Sequence, residues 1–373
     1  MREGVPDPQR EPPVTEIAPA AASLGRDPFA EDVDFDPLCA RLDALESGAG
    51  RSAPAAERAP VRPGARKAPP RARAAGVVTR RRGLAIPTLG EVELPETRGW
   101  FERLVGEDDR RVLAALTHLV EGEGSYDRFG FSPDVMRGAF PVFRALYRAY
   151  FRVKSEGHHH IPAKGPAILA ANHAGLLPFD ATMAIVDVAT HTDPPRLPRA
   201  IVDRWAGSLP WINVFYARMG QVVGTRENCA DLLGEGQLLL VFPEGIEGVR
   251  KTVAHRYRLQ HFRVGFVEHA LRARAPIIPA AIVGSDDQTP ILYDIKPIAR
   301  RLGLPVAPIT PTFPWLGPLG LLPYPVRYRI VYGEPLNFHA RFGAESADDV
   351  RLVRYLANQV RRSVQQLVDR NRA

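Results

Sequence analysis

An α/β fold is predicted, with a central mixed β-sheet flanked by helices. Three observations predict it. From Gly157 onward, apolar runs of strand length alternate with stretches of helical periodicity. Several runs are apolar throughout, as in strands covered on both faces. The chain is long enough at 373 residues, and apolar enough at 45% hydrophobic, to bury a sizeable core.

The elements follow in order. AILAAN (167–172) reads as a buried strand and Asp180 to Ala189 as a helix. RAIVD (199–203) reads as a strand, Arg226 to Gly234 as a short helix, and QLLLVF (237–242) as another strand. Phe262 to Ala273 reads as a helix, IIPAAIVG (277–284) as a strand, and VRYRIVYG (326–333) as a half-exposed strand. A polar-faced helix from Ser346 to Arg372 closes the chain, with Ser346 suited to its N-cap. These elements assign 157–373 to the α/β domain.

Residues 91–156 read as a helical region ahead of it. Trp100, Leu104, Val112, Leu116 and Val120 recur near helical spacing. FGFSP (129–133) breaks the pattern. Val135 to Arg152 then reads as an amphipathic helix, with Pro141 either a kink or its first turn. Arg144, Arg148 and Arg152 recur every four residues beside the apolar face. The helix suits packing on the domain, and also an interfacial position at a bilayer. Residues 1–90 read as a disordered Ala/Pro/Arg-rich tail, acidic first and Arg-rich later.

The net charge is +7, which suits an anionic partner: a phospholipid surface, a phosphorylated substrate or a nucleic acid. The two cysteines, Cys39 and Cys229, make no CxxC pair, so neither a disulfide framework nor a thiolate metal site is expected. No secretory leader and no membrane span are expected. The longest uncharged stretch, 302–326, holds seven prolines, and its aromatic residues Phe313, Trp315 and Tyr324 suit a bilayer interface. His158-His159-His160 invites a metal reading. On a strand such residues alternate sides, which argues against convergence, and no metal is expected.

Three segments carry chemistry. A strand delivers Asn172 and His173 to its C-terminal edge, where open α/β sheets place ligands. Asp180 stands at the start of the next helix, as an N-cap or as a carboxylate that orients the imidazole for proton removal from a hydroxyl. In FPEG (242–245), a strand ends in a sharp turn with Pro243 and Gly245; the amides after such a turn can face an anion or an acyl oxygen, while Glu244 can instead hold an acceptor hydroxyl. In GTREN (224–228), Thr225 and Arg226 precede a helix whose N-terminus and cation can together hold a phosphate. Basic residues follow FPEG: Arg250, Lys251, Arg256, Arg258 and Arg263.

In that order and spacing, these blocks with Ile278-Pro279-Ala280 resemble the glycerolipid (lysophospholipid) acyltransferase superfamily over roughly residues 130–340. The resemblance implies His173 as general base, Asp180 as its partner, and acceptor binding by Arg226, Glu244 and Gly245. Thr225 belongs to the arginine-bearing block, and Lys251 to the cluster suited to thioester phosphates. It also implies an acyl-CoA or acyl-carrier-protein donor, a lipid acceptor, and neither metal nor cofactor. The family's usual spacing leaves four residues between His and Asp. Here six intervene, and Pro178 occupies the expected Asp position, a form similar to the mono- and diacylglycerol acyltransferase-like branch.

An O-acyltransferase on the cytoplasmic face of an anionic membrane, in phospholipid or glycerolipid metabolism, is therefore expected. The competing reading is a non-catalytic lipid-binding protein that keeps the fold. An esterase would need a GxSxG elbow, which the sequence lacks. Nucleic-acid binding ranks last, because the basic tail has no interleaved aromatic residues.

Overall fold

The computed structural model describes residues 107–117, 126–203, 212–302, 304 and 306–372. The expected tail, Trp100, Leu104 and Val120 lie outside them.

Seven strands form the central sheet in the order β1-β9-β6-β2-β5-β3-β4. They are β1 (Lys154–Glu156), β2 (Ala167–Ala171), β3 (Arg199–Val202), β4 (Val222–Val223), β5 (Leu238–Val241), β6 (Ile277–Val283) and β9 (Arg329–Tyr332). β7 (Tyr293–Asp294) and β8 (Pro308–Ile309) pair separately. The β6–β9 pairing is antiparallel and the other pairings in the large sheet are parallel, so β1 and β9 run against the other five strands. β2 lies between β5 and β6, parallel to both, and all five of its residues are buried. This explains its unbroken AILAA composition, since neither face meets water. Because β2, β5 and β6 run in one direction, the segments following them emerge along one edge.

The helices are α1 (Glu107–Thr117), α2 (Pro133–Ala145), α3 (Phe179–His191), α4 (Ile212–Arg218), α5 (Arg226–Gly234), α6 (Ile246–Val249), α7 (Gly265–Arg272), α8 (Lys296–Leu302) and α9 (Val350–Asn371). One core joins Val112 of α1, Met136 and Phe140 of α2, and Met183 and Val186 of α3 to the inner residues of β2, β5 and β6. A second core packs α7 and α9 against the other face.

Several boundaries differ from expectation. α2 starts at Pro133, capped by Ser132, and Pro141 lies inside it; a π turn at Leu146–Tyr150 follows. Arg144, expected beside the apolar face, is buried within it and pairs with Asp109 at 2.6 Å. Arg152 donates to the Pro325 carbonyl. Only the Arg144 end of this row is thus packed into the protein; Arg148 and Arg152 remain exposed. β9 was expected to be half-exposed, yet Ile330, Val331 and Tyr332 are buried, because the strand is inserted between β1 and β6. The cap of α9 is Asp349, whose carboxylate accepts from the amides of Arg351 and Leu352; Ser346 lies in the preceding 3-10 turn. The cap contributes about 1 kcal/mol. Burial of Leu352, Leu356, Val360 and Val364 contributes roughly 1.5–3 kcal/mol each and dominates the helix's placement.

Candidate active site

The site lies where β2, β5 and β6 end. Asn172 spans two of these ends: its side-chain amide donates to the Ile282 carbonyl at 3.1 Å and accepts from the Ile282 amide at 2.7 Å. The strand exit is thereby fixed, and His173 follows at once.

His173 Nδ1 lies 2.6 Å from Asp180 Oδ2. Asp180 is fully buried in the first turn of α3. The same Oδ2 accepts from the Ala174 amide at 3.1 Å, and Oδ1 accepts from the Ala181 amide at 2.8 Å. The carboxylate thus orients the imidazole. The N-cap reading of Asp180 is corrected: the cap position is Pro178, and Asp180 lies one residue inside the first turn. The six intervening residues are absorbed by a loop. Gly175 takes a positive φ of 86°, and a Cβ there would overlap the Gln288 side-chain amide. Gln288 Nε2 donates to the Ala174 carbonyl at 3.0 Å, and its Oε1 accepts from the Tyr328 hydroxyl at 2.7 Å.

Phe242 stacks on the His173 ring with centroids 4.5 Å apart. The short helix α6 after the FPEG turn presses against the same residue: a Cβ on Gly248 would lie 2.9 Å from the His173 carbonyl oxygen. Burial lowers the pKa of His173. The charge and hydrogen bond of Asp180, with the charge of Glu244, outweigh it, and the imidazole titrates above its ordinary value.

Glu244 points inward. Its Oε1 accepts from the His173 amide at 2.9 Å and its Oε2 from the Gln260 amide at 2.7 Å. Lys251 Nζ, also buried, lies 3.5 Å from Glu244 and 3.2 Å from Asp286. Burial raises the Glu244 pKa, partly offset by Lys251 and the two amides. The Gly245 amide closes the turn onto the Phe242 carbonyl at 2.9 Å.

His173, Asp180, Glu244, Gly245 and Lys251 therefore converge. Thr225 and Arg226 do not join them. β4 stands three places from β2 in the sheet, roughly 14 Å at strand spacing. Thr225 Oγ1 caps α5 by accepting from the Asn228 amide, and Arg226, with its side chain 80% exposed, pairs with Glu268 at 3.3 Å. Three other basic residues of that cluster meet acids: Arg250 pairs with Asp294, Arg256 with Asp287, and Arg263 with Asp203. Sequence reasoning missed Asp286, Gln288 and Tyr328. The polar run Ser285–Gln288 directly after a fully apolar strand was the available signal.

Beside the His173–Asp180 loop lies a cavity of about 310 Å³, within the roughly 300–1,000 Å³ typical of ligand sites. Leu177, Pro178 and Phe179 of the loop line it, with Phe143 of α2 and Ile185 of α3. Its lining includes the exposed side chains of Leu177, Ile212 and Phe215.

Residues 152–283 match the family model described as acyltransferase. Over 263 residues the chain is 41% identical to an uncharacterized protein of Mycobacterium tuberculosis, covering 69% of this chain and 73% of that one. The chain belongs to the acyltransferase family. This acyltransferase is also 26% identical over 235 residues to the Gallus gallus protein named DGAT1/2-independent enzyme synthesizing storage lipids, covering 62% of this chain and 67% of that one. The crystal structure of the 1-acyl-sn-glycerophosphate acyltransferase PlsC from Thermotoga maritima matches with a TM-score of 0.38 and 17% identity, over 68% of this chain and 86% of that chain.

Outside the site, the acyltransferase's three consecutive histidines form a 3-10 turn (His158–His160) rather than a strand. They therefore do not alternate as expected. His158 turns inward to Asp187, while His160 Nδ1 meets the Tyr332 carbonyl oxygen.

Proposed function

We propose that this acyltransferase moves a fatty acyl group from acyl-CoA or an acyl-carrier protein to a hydroxyl of a glycerolipid or lysophospholipid. The observation that carries this reading is the 2.6 Å His173–Asp180 pair beside an apolar cavity lined by the loop between the two residues. His173 Nε2 takes the proton of the acceptor hydroxyl as its oxygen attacks the thioester carbonyl. Asp180 holds Nδ1–H and stabilises the imidazolium. As the tetrahedral intermediate collapses, the C–S bond breaks and the imidazolium returns its proton to the leaving thiolate. Glu244, held by Lys251, braces the His173 backbone. The intact dyad favours catalysis over the non-catalytic lipid-binding alternative.

The acyl chain fits the cavity, since its walls are almost wholly apolar. The acceptor class turns on Arg226. Its distance in strand order and its Glu268 partner favour a neutral glycerolipid over a phosphate bound at the dyad. The name of the Gallus gallus relative points the same way. An acyl-transfer assay over lysophospholipids, glycerol phosphate, monoacylglycerol and diacylglycerol, with products identified by mass, tests the reaction. Thr182→Phe, which fills the cavity, is expected to shift preference toward shorter acyl donors, and Phe143→Ala toward longer ones. An unchanged chain-length profile in both variants removes the acyl chain from this cavity.

Peripheral membrane binding belongs to the same proposal. No helix of the described residues is long and apolar enough to cross a membrane. The proline-rich segment is tied down at its base, where the Tyr150 hydroxyl donates to the Pro323 carbonyl and the Tyr324 amide to the Gln288 carbonyl. Its tip exposes Trp315 at 79% and Leu319 at 71%, beside Leu316 and Leu322. Flotation with anionic liposomes is expected, weakened by salt and by Trp315→Ser/Leu319→Ser, and stripped by alkaline carbonate. Absence of flotation at low salt overturns it.

A further inference from the structure

We propose that the C-terminal end of α3 carries a structural site for a divalent transition metal such as zinc, formed by His158 Nε2, His191 Nδ1 and the Asp187 carboxylate. The three ligand groups come from the 3-10 turn after β1 and from one face of α3 at i and i+4. Their ligand atoms all lie within 4.8 Å of one another. His158 Nε2 is 3.2 Å from Asp187 Oδ2, and His191 Nδ1 is 3.0 Å from Oδ1. In a tetrahedral zinc site with bonds of ~2.0 Å, neighbouring ligand atoms stand about 3.3 Å apart. The three groups are thus within reach of one ion, each imidazole now facing a different carboxylate oxygen.

The surroundings are those of a held ligand. Asp187 is fully buried, and three hydroxyls fix its carboxylate. Tyr147 and Ser155 donate to Oδ1 at 2.6 Å each, and Tyr332 donates to Oδ2 at 2.7 Å. They come from the turn after α2, from β1 and from β9. Such outer partners orient a metal-bound carboxylate. Among the described residues, the hydrogen-bond and ion-pair partners of this carboxylate are two imidazoles and three hydroxyls. None carries a permanent positive charge; the Arg144 guanidinium, over the Tyr147 ring at 5.0 Å, is engaged by Asp109.

The two rings stack with centroids 4.4 Å apart, so one ring must turn for both in-plane nitrogens to meet a single ion. A metal would supply positive charge beside the carboxylate, and on binding His191 Nδ1 gives up its 2.9 Å contact with the Asp187 main-chain oxygen. Partial exposure of both histidines leaves a route for entry and a fourth position for water.

Asp187 follows Asp180 on the same helix by roughly 10 Å of rise. The site therefore stands apart from the dyad and ties α3 to β1, β9 and the end of α2. Chelator-treated full-length protein, titrated with zinc against a chromophoric chelator, tests this. One equivalent is expected to bind and to raise the thermal midpoint, and cobalt(II) is expected to give the intense visible bands of four-coordination. His158→Gln and His191→Gln should each weaken binding by more than about 100-fold, beyond the 10–100-fold that loss of an outer partner costs. Ser155→Ala should fall within that 10–100-fold range, and His159→Gln should bind as wild type. Wild-type binding no tighter than that of the His158→Gln/His191→Gln double variant overturns the site, as does a weak octahedral cobalt spectrum.

Discussion

Replacing His173 with alanine is expected to lower kcat by about 10²–10⁴-fold, the usual contribution of a positioned general base. The thermal midpoint should barely move, because Asp180 keeps its bonds to the Ala174 and Ala181 amides and its helix start. A folded His173→Ala variant with near-wild-type turnover would end the His-base mechanism. The pH profile gives an independent readout. The base acts unprotonated, so activity should fall as pH drops through the pKa of His173, which stands above the ordinary imidazole value. In Asp180→Asn the carboxylate charge is gone while the burial that lowers the pKa remains. The acid limb should therefore move to lower pH even as the maximum rate declines. An acid limb that stays in place in Asp180→Asn would remove Asp180 from the electrostatics of the base and leave it only its role at the helix start.

The sheet was legible wherever the chain is buried on both faces. AILAA, LLLV and IIPAAIV are apolar without alternation, and their ends fell within a residue or two of expectation. β1 and β4 were missed. Lys154-Ser155-Glu156 and Val222-Val223 are too short to show a period, and their partners are distant in sequence. β9 misled because Arg327 and Arg329 alternate with apolar residues, and its interior place depends on a pairing that local pattern does not encode. At the candidate site, residue types and order at the strand ends pointed to His173 and Asp180. The direction of a side chain could not be read that way. Glu244 and Lys251 look like surface charges in a basic turn, yet both are buried. What turns them inward is the acid at Asp286 and the Gln260 amide, both brought in by the fold. The row of Arg144, Arg148 and Arg152 shows the same limit, since Asp109 draws Arg144 into the core.

The Lys251 triad gives the largest expected effect on stability. Lys251→Met preserves most of the side-chain volume but leaves Glu244 and Asp286 facing each other without their cation. Removing one partner of a buried ionic group costs about 3–5 kcal/mol, far more than a surface pair would. The loss should depend on pH in a definite sense. Burial already lifts the Glu244 pKa against the pull of Lys251, and without the ammonium it rises further. A carboxyl whose folded pKa exceeds its unfolded value binds its proton more tightly in the folded state. The variant should therefore be most stable below the ordinary carboxylate range and should lose that stability as pH rises through the raised folded value. Neutralising one acid as well, in Lys251→Met/Asp286→Asn, should recover much of the loss, because a single buried carboxylate then keeps the His173 and Gln260 amides as donors. Denaturant unfolding of the single and double variants across pH measures all three effects. If Lys251→Met unfolds like wild type at every pH while KM for the thioester donor rises, the lysine serves the substrate and the bracing role assigned to it fails.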